Sequence, residues 1–113
     1  MPFTLTEVTL ASGRKIPCHV GGSGDPVLYL HAGGGARISP AIERLAQSRR
    51  IHMPVMPGFD GTAPDPALRT MADFADLAAQ VIDATIKGPC DVIGHSFGGL
   101  VASWLAVRHP DKL

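Results

Sequence analysis

The stretch Gly94-His95-Ser96-Phe97-Gly98-Gly99 constrains the folding of this chain more than any other. An apolar run, Cys90-Asp91-Val92-Ile93, leads into it, and Leu100-Val101-Ala102 continues from it in a helical pattern. The spacing G-x-S-x-G in that setting predicts a serine on a sharp strand-to-helix turn. Gly94 and Gly98 lack a Cβ, so strand and helix can close around Ser96. The serine is then driven into a strained backbone region with its hydroxyl projecting. A chain with such a turn must build a sheet strand that ends at the turn and a helix that packs back against it.

The rest of the chain supplies the partners for that strand. Phe3 to Leu10 alternates and is rich in Thr, Val and Leu; Ser12-Gly13-Arg14-Lys15 reads as a turn and Ile16 to Val20 as a partner strand. Gly21 to Pro26 breaks the pattern, and Val27-Leu28-Tyr29-Leu30 is a continuous apolar run of the kind covered on both faces in a parallel sheet. Ser39 is placed to cap a helix with Pro40 at its first position and Ile42, Leu45 and Ala46 on its buried stripe. Ile51 to Val55 reads as a strand that Pro54 keeps short, and Met56 to Pro66 is turn-rich. Thr70-Met71-Ala72-Asp73 resembles a capping box. Phe74, Leu77, Ala78, Val81, Ile82 and Thr85 then share one face until Gly88-Pro89 stops the helix. Leu100, Val101, Trp104 and Leu105 belong to a helix with few polar positions on any side, a pattern of helices buried within a larger fold. Strands alternating with helices imply right-handed crossovers. The expected class is α/β: three layers around a mostly parallel sheet, with an antiparallel hairpin at the amino-terminal end.

Composition narrows the function classes. Ten Lys and Arg balance ten Asp and Glu in 113 residues, so no electrostatic field draws the chain to nucleic acid or an anionic membrane. No apolar run reaches the roughly 18 residues of a membrane span, and the first residues do not read as a secretory signal. Cys18 and Cys90 form no C-x-x-C and are expected to be reduced, partly buried thiols of a cytoplasmic protein. No His, Cys, Asp and Glu cluster has metal-ligand spacing, and no cofactor is expected. The expected partner is a small-molecule substrate.

Ser96 is the candidate nucleophile. A serine hydroxyl is weak at neutral pH and needs a base within hydrogen-bond reach. The Phe97 amide, at the amino end of the following helix, can bind the oxyanion of a tetrahedral intermediate. A second donor is expected from the loop His31-Ala32-Gly33-Gly34-Gly35, first from Gly33 and then Gly34. The same loop also reads as a plain surface loop or as a phosphate cradle, although it has neither G-x-G-x-x-G nor a G-K-[ST] ending. Of the histidines, His95 neighbours Ser96 but is expected to point away from its hydroxyl, and His31 is expected to be structural. His52 and His109 read as surface or strand-end residues, and Asp60 and Asp65 as solvated loop residues.

Three segments together resemble the amino-terminal half of an α/β-hydrolase of the serine-nucleophile branch. They are Val27 to Gly35, Pro57-Gly58-Phe59-Asp60-Gly61-Thr62 and Gly94 to Gly99, in that order. The closing His109-Pro110-Asp111-Lys112-Leu113 is similar to the segment that leads into that family's next strand. The resemblance covers nearly the whole chain as a single partial domain, residues 1–113. It implies that Ser96 is the nucleophile, that Gly33 and Phe97 offer the oxyanion amides, and that His31, Gly34, Gly94, His95 and Gly98 support them. Pro57 to Thr62 would line the pocket mouth. Ala32 stands where the family more usually has Gly.

The family order is nucleophile, then acid, then histidine, which implies that both partners lie beyond Leu113. A serine without its base keeps only oxyanion and binding effects, so the 113-residue chain alone is expected to turn over little substrate. It is also expected to expose a sheet edge and an uncovered helix, and so to self-associate. The implied activity is hydrolysis of esters, amides or related bonds through an acyl-enzyme. Alternatives on the same fold are acyl transfer, carbon–carbon hydrolysis or cofactor-free haloperoxidation, or a non-catalytic remnant. Serine in place of aspartate disfavours the dehalogenase and epoxide-hydrolase branches. Substrate identity lies outside what fold analogy supplies.

Overall fold

Side chains that alternate along a strand must be covered on both faces, and here each face has its own core. The computed structural model describes residues 3–113. Strands β1 (Phe3–Thr9) and β2 (Lys15–Gly21) form the expected hairpin, in register from Thr9 opposite Lys15 to Phe3 opposite Gly21. β3 (Asp25–Leu30), α1 (Pro40–Leu45), β4 (Arg49–Pro54), α2 (Met71–Thr85), β5 (Asp91–Gly94) and α3 (Phe97–Arg108) follow. The sheet order is β1-β2-β4-β3-β5. β3 pairs in parallel with β4 and β5, while β2 is antiparallel to both β1 and β4. Only β2 therefore runs against the other strands.

Val27, Ile51 and Met53 face α1, where they pack with Ile42 and Ala46. Leu28 and Leu30 face the opposite side and pack with Leu77, Ala78, Val81 and Ile82 of α2 and with Val101 and Leu105 of α3. At about 1.5–3 kcal/mol for each buried Val, Leu, Ile or Met, these two clusters are the main source of cohesion between the layers. α1 begins as its sequence predicts: Ser39 accepts the Ile42 N–H and Pro40 opens the helix. α2 carries a complete capping box. Thr70 accepts the Asp73 N–H and the Asp73 carboxylate accepts the Thr70 N–H at 3.0 Å, a cap of about 1 kcal/mol.

Several boundaries differ from expectation. β4 starts at Arg49, because parallel β3 pairs Asp25 with Arg49 and Pro26 with Arg50, while antiparallel β2 joins it only from Ile51 to Pro54. The residue that ends α2 is Lys87, not Gly88. Lys87 takes the left-handed conformation, φ +64, and its N–H donates to the Ile82 carbonyl at 2.8 Å. The chain closes in a short 3₁₀ turn, Pro110–Lys112, which no sequence pattern announced.

α3 buries Gly98, Val101 and Leu105, and its outer stripe of Leu100, Trp104 and Val107 is 57, 44 and 74 % exposed. Its carboxyl end is tied to α2. The Arg108 guanidinium donates to both carboxylate oxygens of Asp76 at 2.8 and 2.9 Å, and His109 Nε2 lies 2.7 Å from Asp76 Oδ1. β5 is an edge strand, paired only with β3 among the described residues.

Candidate active site

Ser96 lies between β5 and α3 with φ +55 and ψ −113, a conformation that L residues rarely adopt. The two flanking glycines explain how the turn closes. A Cβ on Gly94 would collide with the Gly98 carbonyl, and a Cβ on Gly98 would collide with the Leu30 carbonyl and the His31 backbone. The His95 N–H donates to Leu30 O at 3.1 Å, which anchors the turn to the end of β3. The Ser96 carbonyl accepts from the Gly99 and Leu100 N–H groups, so α3 starts directly behind it. Ser96 is exposed. Among the described residues, the Phe97 N–H and the Ser96 hydroxyl have no protein partner.

The glycine-rich loop leaves β3 beside this turn. His31 is 2 % exposed. Its Nε2 accepts the Met56 N–H at 3.0 Å, and its Nδ1 lies 2.8 Å from the Ala32 carbonyl, to which it donates. Both ring nitrogens are committed to main chain, so His31 is a structural strut. The loop then turns, with the Gly35 N–H donating to Ala32 O at 3.0 Å. Gly33 and Gly34 at its tip are exposed, and their N–H groups are unpaired among the described residues. The Gly98 contact with Leu30 and His31 therefore brings the start of this loop against the turn that carries Ser96.

An aromatic chain welds the surrounding elements together. Phe97 stacks 5.1 Å from Phe59 and meets Phe74 of α2 edge-on at 5.3 Å, while Phe59 meets His31 edge-on at 5.0 Å. Sequence reading placed Phe59 and Phe74 in separate segments and missed this cluster, since nothing in their spacing links them. His95 is exposed and faces a cavity of about 410 Å³ lined also by Tyr29, Gly34, Arg37 and Ile42.

Three residues depart from their expected settings. His52 is not a surface residue: it is 8 % exposed in the middle of β4, with Nδ1 unpaired, because pairing on both sides of β4 covers it. Burial, with Arg50 nearby, holds its imidazole below the usual range. His109 is half-buried against Asp76. Asp65 is half-buried, pairs with Arg14 and accepts the Ala67 N–H at 2.9 Å. Asp60 is exposed, as expected of its loop, and its Oδ2 accepts the Ala36 N–H at 2.9 Å.

Cys18 and Cys90 are both buried and free. Burial pushes the Cys18 thiol up to about 12 and raises Cys90 as well, which leaves neither reactive at neutral pH. Among the described residues, no three His, Cys, Asp or Glu side chains converge on a common point that could hold a metal ion. Among the described residues, no helix is long and apolar enough to cross a membrane.

Known proteins are similar to this chain in sequence and in fold. The chain is 34 % identical over 110 residues to 2-hydroxymuconate semialdehyde hydrolase of Pseudomonas sp. (strain CF600), covering 92 % of this chain and 39 % of that protein. It is 36 % identical over 94 residues to pimeloyl-[acyl-carrier protein] methyl ester esterase of Chromobacterium violaceum, covering 81 % and 35 %. The alpha/beta hydrolase fold protein from Nakamurella multipartita superposes with a TM-score of 0.82 at 31 % identity, over 97 % of this chain and 38 % of that one. The chain thus spans about two fifths of the length of these relatives. The model of the alpha/beta hydrolase fold matches residues 25–113, from the first residue of β3 to the last of the chain. With the strand order, the Gly94–Gly98 turn and this match in agreement, the chain belongs to the alpha/beta hydrolase fold family.

Proposed function

We propose that Ser96 is the nucleophile of a serine hydrolase that cleaves an ester, amide or related bond through an acyl-enzyme, and that these 113 residues form part of its single catalytic domain. One observation carries the reading: an exposed serine held at φ +55, with the Phe97 N–H unpaired behind it and the Gly33–Gly34 amides free on the adjoining loop. In this reading the Ser96 oxygen attacks the carbonyl carbon and passes its proton to a general base. The carbonyl oxygen becomes an oxyanion that the Phe97 and Gly33 amides stabilise, with Gly34 as the second loop donor. Collapse expels the leaving group, which takes the proton back. Water then adds to the acyl-serine by the same route and frees the acid.

The base and its orienting acid are supplied from outside these 113 residues. No described histidine or carboxylate hydrogen-bonds the Ser96 hydroxyl, and the buried imidazole of His31 is fully used by Met56 and Ala32. The substrate is a small molecule and the setting cytoplasmic. Hydrolase relatives support the reaction class.

A fluorophosphonate probe tests the assignment, because it reacts only with an activated serine. The protein as its gene encodes it is expected to label once and lose labelling in Ser96→Ala. Labelling that survives this change would falsify the assignment. A protein that never labels would favour a non-catalytic remnant.

A further inference from the structure

We propose that Asp60 is a positioning residue whose carboxylate holds the Gly33–Gly34 amides in place, a role that rests on the oxyanion reading above. The chain makes an unusual local investment to aim this side chain. Phe59 to Thr62 form a tight turn closed by the Thr62 N–H donating to Phe59 O at 3.0 Å. Its two central residues, Asp60 and Gly61, both have positive φ, +52 and +78, the combination of a type I′ turn. Asp tolerates that region better than most residues because its short side chain can hydrogen-bond locally. This one reaches across to another loop instead. Thr62 locks the turn from below, its hydroxyl donating to Phe59 O at 2.7 Å and accepting the Gly58 N–H at 3.1 Å.

Asp60 Oδ2 accepts the Ala36 N–H at 2.9 Å, 24 residues away in sequence. The packing is tight enough that a Cβ on Gly35 would collide with the Asp60 carboxylate. Gly35 is itself buried at φ +101, a conformation L side chains rarely adopt, and its Cα lies against the carboxylate. His31 secures the other end of the loop through the Met56 N–H. The segment 56–62 therefore grips the loop at both ends, at His31 and at Ala36, and leaves Gly33 and Gly34 between the grips. An ionised acceptor makes the stronger kind of hydrogen bond. A preorganised donor is worth more than one that must be gathered at the moment of reaction. Among the described residues, no cation or other donor pairs with Asp60, so the grip on Ala36 is the carboxylate's one observed task.

The test compares wild type, D60A and D60N of the protein as its gene encodes it, by residue-resolved amide exchange and by kcat and KM on an activated ester. D60A is expected to speed Ala36 exchange about tenfold or more, while exchange at Val81 and Ile82 in the core stays unchanged and shows that the fold is intact. It is expected to lower kcat about 10- to 100-fold with KM moved less than about threefold. D60N keeps an oxygen that accepts the Ala36 N–H, and is expected to recover both to within about fivefold of wild type. Unchanged Ala36 exchange in D60A, or a kcat loss in D60N as deep as in D60A, overturns the proposal. If wild type shows no Ser96-dependent turnover, the reading of Ser96 fails instead, and the exchange comparison alone decides whether Asp60 holds the loop.

Discussion

Gly98 is packed so closely on the main chain of Leu30 that any side chain at position 98 would overlap the Leu30 carbonyl. That contact joins the first turn of α3 to the end of β3 and sets where Ser96 stands relative to the glycine-rich loop. Gly98→Ala must push the helix away from the strand, and is expected to cost about 3 kcal/mol or prevent folding. Gly99 is the control next door, since a Cβ there meets the Gly94 carbonyl at an ordinary 3.5 Å. Gly99→Ala is expected to stabilise by about 0.5 kcal/mol through helix propensity. Urea denaturation of the pair measures both, and equal effects would contradict the close contact.

Ser96 holds a left-handed backbone that glycine adopts freely. Ser96→Gly is expected to raise stability by about 1 kcal/mol as the strain is released. Fluorophosphonate labelling disappears in the same variant. A Ser96→Gly protein that melts below wild type would show that position 96 is not strained.

His52 ties stability to mild acid. Its imidazole is buried and held below its ordinary value, so the unfolded chain binds a proton more readily than the folded one. Stability is then complete above about pH 6.5 and falls as pH drops from there through the lowered folded value. His52→Leu is expected to flatten the stability profile below pH 6.5. It also removes a buried unpaired nitrogen, a gain of about 1 kcal/mol. Denaturation midpoints of both proteins between pH 5 and 8 check this; parallel curves would exclude His52 as the source.

Asp76 works at a lower pH and for the opposite protonation state. The Arg108 fork, and behind it His109, hold its carboxyl below the usual carboxylate range. The clamp between α2 and α3 is present above that range and is lost as pH falls through the depressed folded value. Asp76→Asn is expected to destabilise by about 1 kcal/mol at pH 7, a modest figure because the pair is partly solvated. Thermal melts at pH 7 and pH 3 should differ by less in Asp76→Asn than in wild type.

The outer stripe of α3 and the free edge of β5 lie side by side in sequence and expose Leu100, Trp104, Val107 and Ile93. Expressed as 113 residues, the chain is expected to self-associate through them. Sedimentation velocity should show oligomers that Trp104→Lys combined with Val107→Glu reduces. A monodisperse wild-type monomer would contradict the expectation.

The sequence by itself determined whatever depends on near neighbours. Ser39-Pro40 and Thr70–Asp73 start helices because a cap needs only three or four residues to close its hydrogen bonds. The strand–turn–helix at Ser96 was legible because two glycines two positions from a serine allow little else between an apolar strand and a helix. Contacts between distant segments were decided by the tertiary structure. His52 looked like a surface residue until β2 and β3 closed on either side of β4. Asp60 stays exposed, as its loop position suggested, but only the fold brings its turn within reach of the Ala36 N–H, and Asp76 meets Arg108 only because α2 and α3 lie on the same face of the sheet. Local pattern selects which elements form, since their hydrogen bonds are short in sequence. Which polar groups lose water depends on how those elements are stacked, and no stretch of neighbouring residues encodes that.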